Sequence, residues 1–363
     1  MSQSGVFIGD DLTKNIQSDY QTEMQYIFHP NSFDIIGGVG YMSLLKTKTI
    51  QEQFSFPSDP PISLCPEFCT DSISKYKTNY TNGYIYSKQY ILPNLTTTLG
   101  FSYDSYDDSF IKKEQANPKL GVIWNPLKNL TLRSAFFRSL KRPLASNQTI
   151  EPTQVAGFNQ FFDANNGTSA WQYGFGLDYQ PIDKIFLGGE INWRDIKIPT
   201  TENGQLINQN RSEASHLAYF YWLPFDWMSI HSEYRYETYS RSFLLTTGNP
   251  TNPASITTQQ VPLSLSLFQN NGLFAKLTGT YVNQKVAEIN DNLGLDNENE
   301  NFWTFDATLG FRLPRKLGMV SIEARNLLNE QFRYQSTFDA SGPQLSPFVP
   351  ERQLESVVRA FLG

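Results

Sequence analysis

The sequence predicts a transmembrane antiparallel β-barrel. Three observations predict it: strict apolar/polar alternation, strands of about ten residues or more, and connections that alternate short and long. The alternation is clearest from Ala170 to Ile198. Trp171, Tyr173, Phe175, Leu177 and Tyr179 share one parity, and Gln172, Gly174, Gly176, Asp178 and Gln180 take the other. After Pro181-Ile182-Asp183-Lys184 the pattern resumes. Ile185, Leu187, Gly189, Ile191 and Trp193 then oppose Gly188, Glu190, Asn192 and Arg194. A period of two puts successive side chains on opposite faces of a strand, so this stretch is an amphipathic hairpin with a tight turn. A soluble sandwich also has one apolar face. Recurrence of the unit along most of the chain decides for the barrel.

The elements follow in order. Gly5 to Ile8 reads as a strand remnant, and Gln21–His29 and Phe33–Leu45 are the first clear pair, across Pro30-Asn31-Ser32. A long loop, Thr47–Lys75, carries Pro57, Pro60, Pro61 and the only two cysteines. Tyr76–Ile91 and Leu95–Tyr103 flank Leu92-Pro93-Asn94. Past the acidic loop Asp104–Asp108 come Lys119–Trp124 and Leu130–Phe137, then the loop Ser139–Ser169. Glu213–Leu223 pairs with Trp227–Tyr239, Val261–Phe268 with Leu273–Lys285, and Phe302–Leu313 with Met319–Arg325. A last strand, Gln353–Leu362, runs to the end. About 14–16 strands result, alone or as part of a larger barrel, and single-chain bacterial barrels need an even number. No helix-period segment or flexible linker divides residues 1–363, so the chain reads as one barrel domain.

Composition narrows the function classes. The 363 residues are 39% hydrophobic and 14% aromatic, yet mean hydropathy is only -0.41. No apolar run reaches the roughly 18 residues of a membrane helix, a test blind to barrels because only alternate residues face lipid. A net charge of -6 without a basic patch argues against a nucleic-acid partner. Met1-Ser2-Gln3-Ser4-Gly5 has no leader features, which an outer-membrane protein needs, so the chain reads as truncated. Cys65 and Cys69 are a disulfide candidate for an oxidising compartment, with two free thiols as the alternative. The three histidines, His29, His216 and His231, lie far from them, so no metal site is expected.

Unpaired backbone groups in hydrocarbon cost several kcal/mol each, so a spanning sheet has to close. Its polar parity then lines water. The lumen candidates are Arg133, Asp178, Glu190, Asn192, Arg194, His231, Glu233, Arg235, Asp306, Arg312, Glu323 and Arg325, with Glu237 on the same parity. Trp124, Trp171, Trp193, Trp222, Trp227, Trp303 and Tyr103, near strand ends, suit the headgroup girdles. Gly37, Gly174, Gly176, Gly188 and Gly189 read as thin points where curved strands approach closely. In the loop Ser139–Ser169, Phe158, Phe161 and Phe162 among amides are ligand-facing candidates suited to sugars or flat solutes. A loop folded onto its own aromatics is the alternative. The chain carries none of the common hydrolase, zinc-protease or nucleotide-binding motifs. His231 beside Ser229 and Glu233 is the one tempting group, and a lumen histidine with ordinary hydrogen bonds is the plainer reading. No enzymatic activity and no cofactor are expected. The acidic stretch Asn290–Glu300 lacks calcium-loop spacing.

Several stretches resemble the C-terminal barrel region of TonB-dependent outer-membrane receptors. They are Asn117-Pro118-Lys119-Leu120-Gly121, Asn129-Leu130-Thr131-Leu132-Arg133, and Phe137-Arg138-Ser139-Leu140-Lys141-Arg142-Pro143. Near the end, Glu323-Ala324-Arg325-Asn326-Leu327-Leu328-Asn329 resembles the family's segment before the last strand, where Arg352 and Arg359 also match. The resemblance implies an outer-membrane location, contact with membrane lipid, and binding or passage of a small solute or saccharide. It also implies a plug or periplasmic domain outside this chain, since neither a plug nor a TonB box is visible here. Barrels of that family have twenty-two strands, and their chains end in an aromatic residue where this one ends Phe361-Leu362-Gly363. A passive porin or polysaccharide-export pore is the rival within membranes. A soluble all-β carbohydrate-binding protein is the rival outside them.

Overall fold

The computed structural model describes residues 8–56, 62–63, 70–144, 148–160, 164–202, 205–242, 253–289, 295–335 and 353–360. The strands, in chain order, are β1 (Ile8–Phe28), β2 (Phe33–Phe56), β3 (Ile62–Ser63), β4 (Thr70–Leu92), β5 (Leu95–Asp107), β6 (Lys112–Leu127), β7 (Leu130–Leu140), β8 (Gln154–Val155) and β9 (Phe158–Asn159). They continue as β10 (Ser169–Ile182), β11 (Ile185–Glu202), β12 (Gln205–Phe225), β13 (Met228–Arg241), β14 (Pro253–Phe268), β15 (Leu273–Ile289), β16 (Leu295–Arg312), β17 (Gly318–Arg325) and β18 (Gln353–Ala360). All but β8 and β9 form one 16-stranded sheet, in which the long strands pair in chain order and short β3 pairs with β2. Every pairing is antiparallel. Among the described residues β1 and β18 do not pair with each other, so the wall is open between them.

The alternating pattern sets which face is which. Phe175 is 50% exposed, Trp303 51% and Leu309 56%, whereas Gln172 on the opposite parity is 1% exposed. Apolar side chains therefore stand on the outside, the arrangement required when the surroundings are lipid rather than water. Cross-strand register lines them into rows: Leu132, Leu177, Gly189, Ala218 and Tyr234 form one, and Phe136, Tyr173, Trp193, Ala214 and Thr238 another above it. From Ile185 to Trp193 the strand climbs about 27 Å at about 3.4 Å per residue, or about 21 Å along the membrane normal at a tilt of about 40°. That approaches the apolar band of about 25 Å seen in such barrels. Trp193, Trp222, Trp227, Trp303, Trp124 and Tyr103 are all outward and exposed.

The strands run further than the sequence pattern indicates. β1, β2 and β4 have 21, 24 and 23 residues, where about 9–11 cross a membrane. Much of the expected loop Thr47–Lys75 is therefore strand, and β11 and β12 continue as a paired ribbon to Glu202 and Gln205. Beyond the lipid both faces of a ribbon are wet, so alternation fades while backbone pairing continues. Lys14 to Gln17 against Lys46 to Thr49 is such a stretch. Tight turns join the strands at the other end, where Tyr90 and His29 bond the Asp34 carboxylate at 2.7 and 2.9 Å. Cys65 and Cys69 lie outside the described residues.

This inside-out arrangement is testable by a pair of substitutions on adjacent residues of β15. Leu277, 51% exposed, faces out, and Thr278, hydrogen-bonded to Ser264 at 2.9 Å, faces in opposite Asp306. Leu277→Arg is expected to destabilise the folded barrel by about 2–4 kcal/mol, and Thr278→Arg by less than about 1 kcal/mol. Urea unfolding in lipid vesicles measures the difference, and equal effects would contradict the assignment of faces.

Candidate functional site

The inward face is a charged wall onto which the segment between β7 and β10 folds back. Arg133, Asp178 and Glu190 come together from β7, β10 and β11: Arg133 donates to Asp178 at 3.2 Å and approaches Glu190 at 3.5 Å. Tyr219 adds a hydrogen bond to Asp178 from β12. Arg194 reaches Gln172 at 3.3 Å and Glu213 at 3.2 Å, and Arg211 also pairs with Glu213. Asn192 shares their inward parity, with its side-chain oxygen buried and unbonded among the described residues. Further round, Glu233 lies between His231 at 3.0 Å and Arg235 at 2.5 Å, while Tyr221 stacks on His231. Asp306 accepts the Asn326 backbone N–H at 2.9 Å, Arg312 covers Phe268 and Phe274, and Arg325 lies 3.6 Å from Glu323. These residues thus fall into separate small clusters on the face opposite the exposed apolar one. His231 has glutamate and tyrosine about it, and Ser229 is not among its bonded partners.

The folded-back segment is where the structure departs most from expectation. Phe158, a ligand-facing candidate in the sequence, is 1% exposed and packed against the wall. It lies with Val155 and Ala156 against Ala135 and Phe137 of β7. Space for it comes from Gly174, where a Cβ would sit 2.4 Å from the Phe158 ring. Gly121 makes the same room for Val155 and Ala156, and the Arg133 guanidinium lies over the Phe158 ring, 5.5 Å from its centroid. At Gly157 the backbone takes φ +88°, which glycine adopts without a steric penalty. Phe161 and Phe162 lie outside the described residues.

Buried charge fastens the segment. Glu151 accepts hydrogen bonds from Tyr86 at 2.8 Å and Asn82 at 3.0 Å, pairs with Arg142 at 2.9 Å, and has Lys119 at 3.5 Å. The side chains of Glu151, Lys119 and Arg142 are each no more than 5% exposed. Arg142 also donates to Tyr80, which bonds Asp104 together with Ser102 and Asn117. On β1, Glu23 accepts the Ile150 N–H at 2.6 Å and Gln25 donates to its carbonyl at 2.6 Å. Sequence reading did not single out Glu151, Asp104 or Tyr80. Asn117, Lys119 and Arg142 stood in the stretches that carried the family resemblance, and that was the available signal.

At the extracellular end, Lys113 donates to the Gly167 carbonyl at 3.0 Å. Burial first, then the nearby positive charges of Arg138 and Lys197, push its amine down to about 8 from an ordinary 10.5. No group of histidine, cysteine and carboxylate ligands suited to a metal ion occurs among the described residues.

Two predictions arise. Glu151→Ala leaves Arg142 and Lys119 buried without their carboxylate and is expected to ease opening of residues 148–160 by about 3–5 kcal/mol. Hydrogen exchange of residues 148–160 measures it, and unchanged protection contradicts the fastening role. For Lys113, the unfolded chain holds its proton more tightly than the folded one between about pH 8 and 10.5, so stability rises with pH there. Lys113→Met is expected to be more stable than the parent below pH 8, with the advantage fading towards pH 10.5 in urea titrations.

No family model and no curated protein sequence matches this chain. Solved structures do. The chain is similar to the unliganded ferric citrate transporter FecA, with a TM-score of 0.63, 12% identity, and 97% of this chain covering 55% of that one. It is similar to the FrpB iron transporter from Neisseria meningitidis at a TM-score of 0.60 and 13% identity, covering 93% of this chain and 62% of that one. For the copper transporter OprC the TM-score is 0.62 and the identity 11%, over 94% of this chain and 56% of that one. The chain therefore spans little more than half the length of the proteins it matches. What they share at this identity is architecture: the chain has the fold of the barrel region of TonB-dependent outer-membrane receptors, an outer-membrane antiparallel β-barrel.

Proposed function

We propose that this chain supplies the solute-facing wall of an outer-membrane receptor, which binds a small solute from outside and lets it cross the membrane. The single observation that carries the reading is the inward-folded segment 148–160, held over a polar wall by Glu151, Lys119 and Arg142. A wall that is greasy outside and charged inside suits passage of a water-soluble solute, and an ordered inward segment narrows that path. A polar wall with ion pairs at several heights also suits a receptor that holds its solute in stages. The similar proteins named for ferric citrate, iron and copper support the transporter class. A plug or periplasmic domain from outside this sequence is the partner this reading calls for, and chemistry on the solute is not part of it.

Uptake tests the proposal. Cells expressing the full-length protein are expected to accumulate at least one labelled solute from a panel of ferric chelates, copper and small saccharides, and to lose that gain when residues 148–160 are deleted. If no panel member is retained or accumulated, while the purified protein forms a steadily open conductance in planar bilayers, the passive-pore reading replaces this one.

A further inference from the structure

The outer wall carries a groove that neither the lumen nor solute passage explains. Its volume is about 480 Å³, and it is lined by Arg138, Trp171, Asp195, Lys197, Ser212 and Ser240, among others. Register places it. Arg138, Trp171, Asp195, Ser212 and Ser240 form one cross-strand row, immediately above the outward row of Phe136, Tyr173 and Trp193. Tyr173 and Trp193 are exposed to the outside, and Phe136 stacks on Trp171 at 4.9 Å. The groove therefore opens outward where the apolar band ends on the extracellular side, at the depth of the outer leaflet's headgroups.

Its chemistry suits an anion. The Arg138 guanidinium lies 5.6 Å from the Trp171 ring, with its Nε shielded from solvent and unbonded among the described residues. Neither Arg138 nor Lys197 forms an ion pair among the described residues, although Asp195 shares the groove. The serine hydroxyls and the Asn210 amide add neutral donors. On β15 and β16 the outward positions Asn283, Asn299 and Asn301 above Trp303 are uncharged, Asn283 bonds both of the others, and Lys285 is the outward partner of Asn299. Over β7 to β11 the two cations Arg138 and Lys197 stand directly above the aromatic belt.

We propose that this groove binds the phosphoryl headgroup of an outer-leaflet lipid. Arg138 and Lys197 hold the phosphate oxygens, the serines complete the donor set, and the acyl chains run down over Phe136, Tyr173 and Phe175. Arginine matches phosphate geometry with paired donors, and lysine adds a point charge. A free anion would gain nothing from the belt beneath, whereas a lipid uses both. The inference needs only the membrane placement and is independent of which solute crosses.

The test measures binding of the detergent-solubilised full-length protein to nanodiscs of phosphatidylcholine doped with bis-phosphorylated lipid A, or with the same lipid dephosphorylated. Expected is binding at least about tenfold tighter to the phosphorylated lipid, reduced about tenfold by Arg138→Gln with Lys197→Gln. That preference should be retained by Arg138→Lys with Lys197→Arg and by Lys184→Gln in a turn at the opposite end. Heat-modifiable gel migration confirms that each variant is folded. Equal binding to both lipids, or an unchanged preference in the glutamine variant, overturns the proposal. So does competition by inorganic phosphate at the lipid's own concentration.

Discussion

Hydrocarbon offers no partner to a backbone N–H or C=O, and the rest of this structure depends on that fact. A sheet in lipid has to satisfy its polar backbone within itself, so neighbouring strands pair in chain order, and among the described residues the outer edges of β1 and β18 are left without a neighbouring strand. Pairing fixes two faces, and the surroundings then sort the side chains: Leu277, Leu309 and Ile322 outward, Arg133, Asp178 and Glu190 inward. An arginine on the outer face would cost about 2–4 kcal/mol at mid-membrane. The same alternation that would bury a soluble core here exposes the apolar face.

With the greasy residues on the outside, the interior needs another source of cohesion. It comes from buried polar and ionic contacts together with several small apolar clusters. Glu151 joins β4 and β6 to the folded-back segment, and Phe158 fills the space that Gly174 and Gly121 leave open. Removing one partner of a buried ion pair is more damaging than the pair is stabilising. The network therefore specifies where the segment lies more than it adds to stability. A second inward segment uses the same devices: Phe332 stacks on Phe302, and Gln335 exchanges hydrogen bonds with Gln284.

Outside and inside meet different demands at the extracellular rim. Arg138 and Lys197 face outward over the aromatic belt, while Lys113 bonds the inward-folding segment and feels their charge. A rim a few side chains thick thus presents cations to the headgroup layer and polar contacts to the lumen. The proposed solute path and the proposed lipid site lie on opposite faces of the same strands, so changes in one need not disturb the other.

The sequence by itself determined the strand type, the outward apolar face and the opposite polar parity, because lipid imposes a period of two that local composition records directly. Trp193, Phe175 and Arg133 were legible for that reason. It did not determine strand ends such as those of β2 and β11, because a ribbon with water on both faces no longer needs alternation. Nor did it determine the fate of Phe158. Whether an aromatic in a loop meets a ligand or a packed wall depends on Gly174 and Ala135, which lie outside that loop. The Glu151 cluster was likewise decided only by tertiary structure: Asn82 and Tyr86 lie 69 and 65 residues before Glu151, and no local pattern links them to it until the strands are paired and the segment has turned inward.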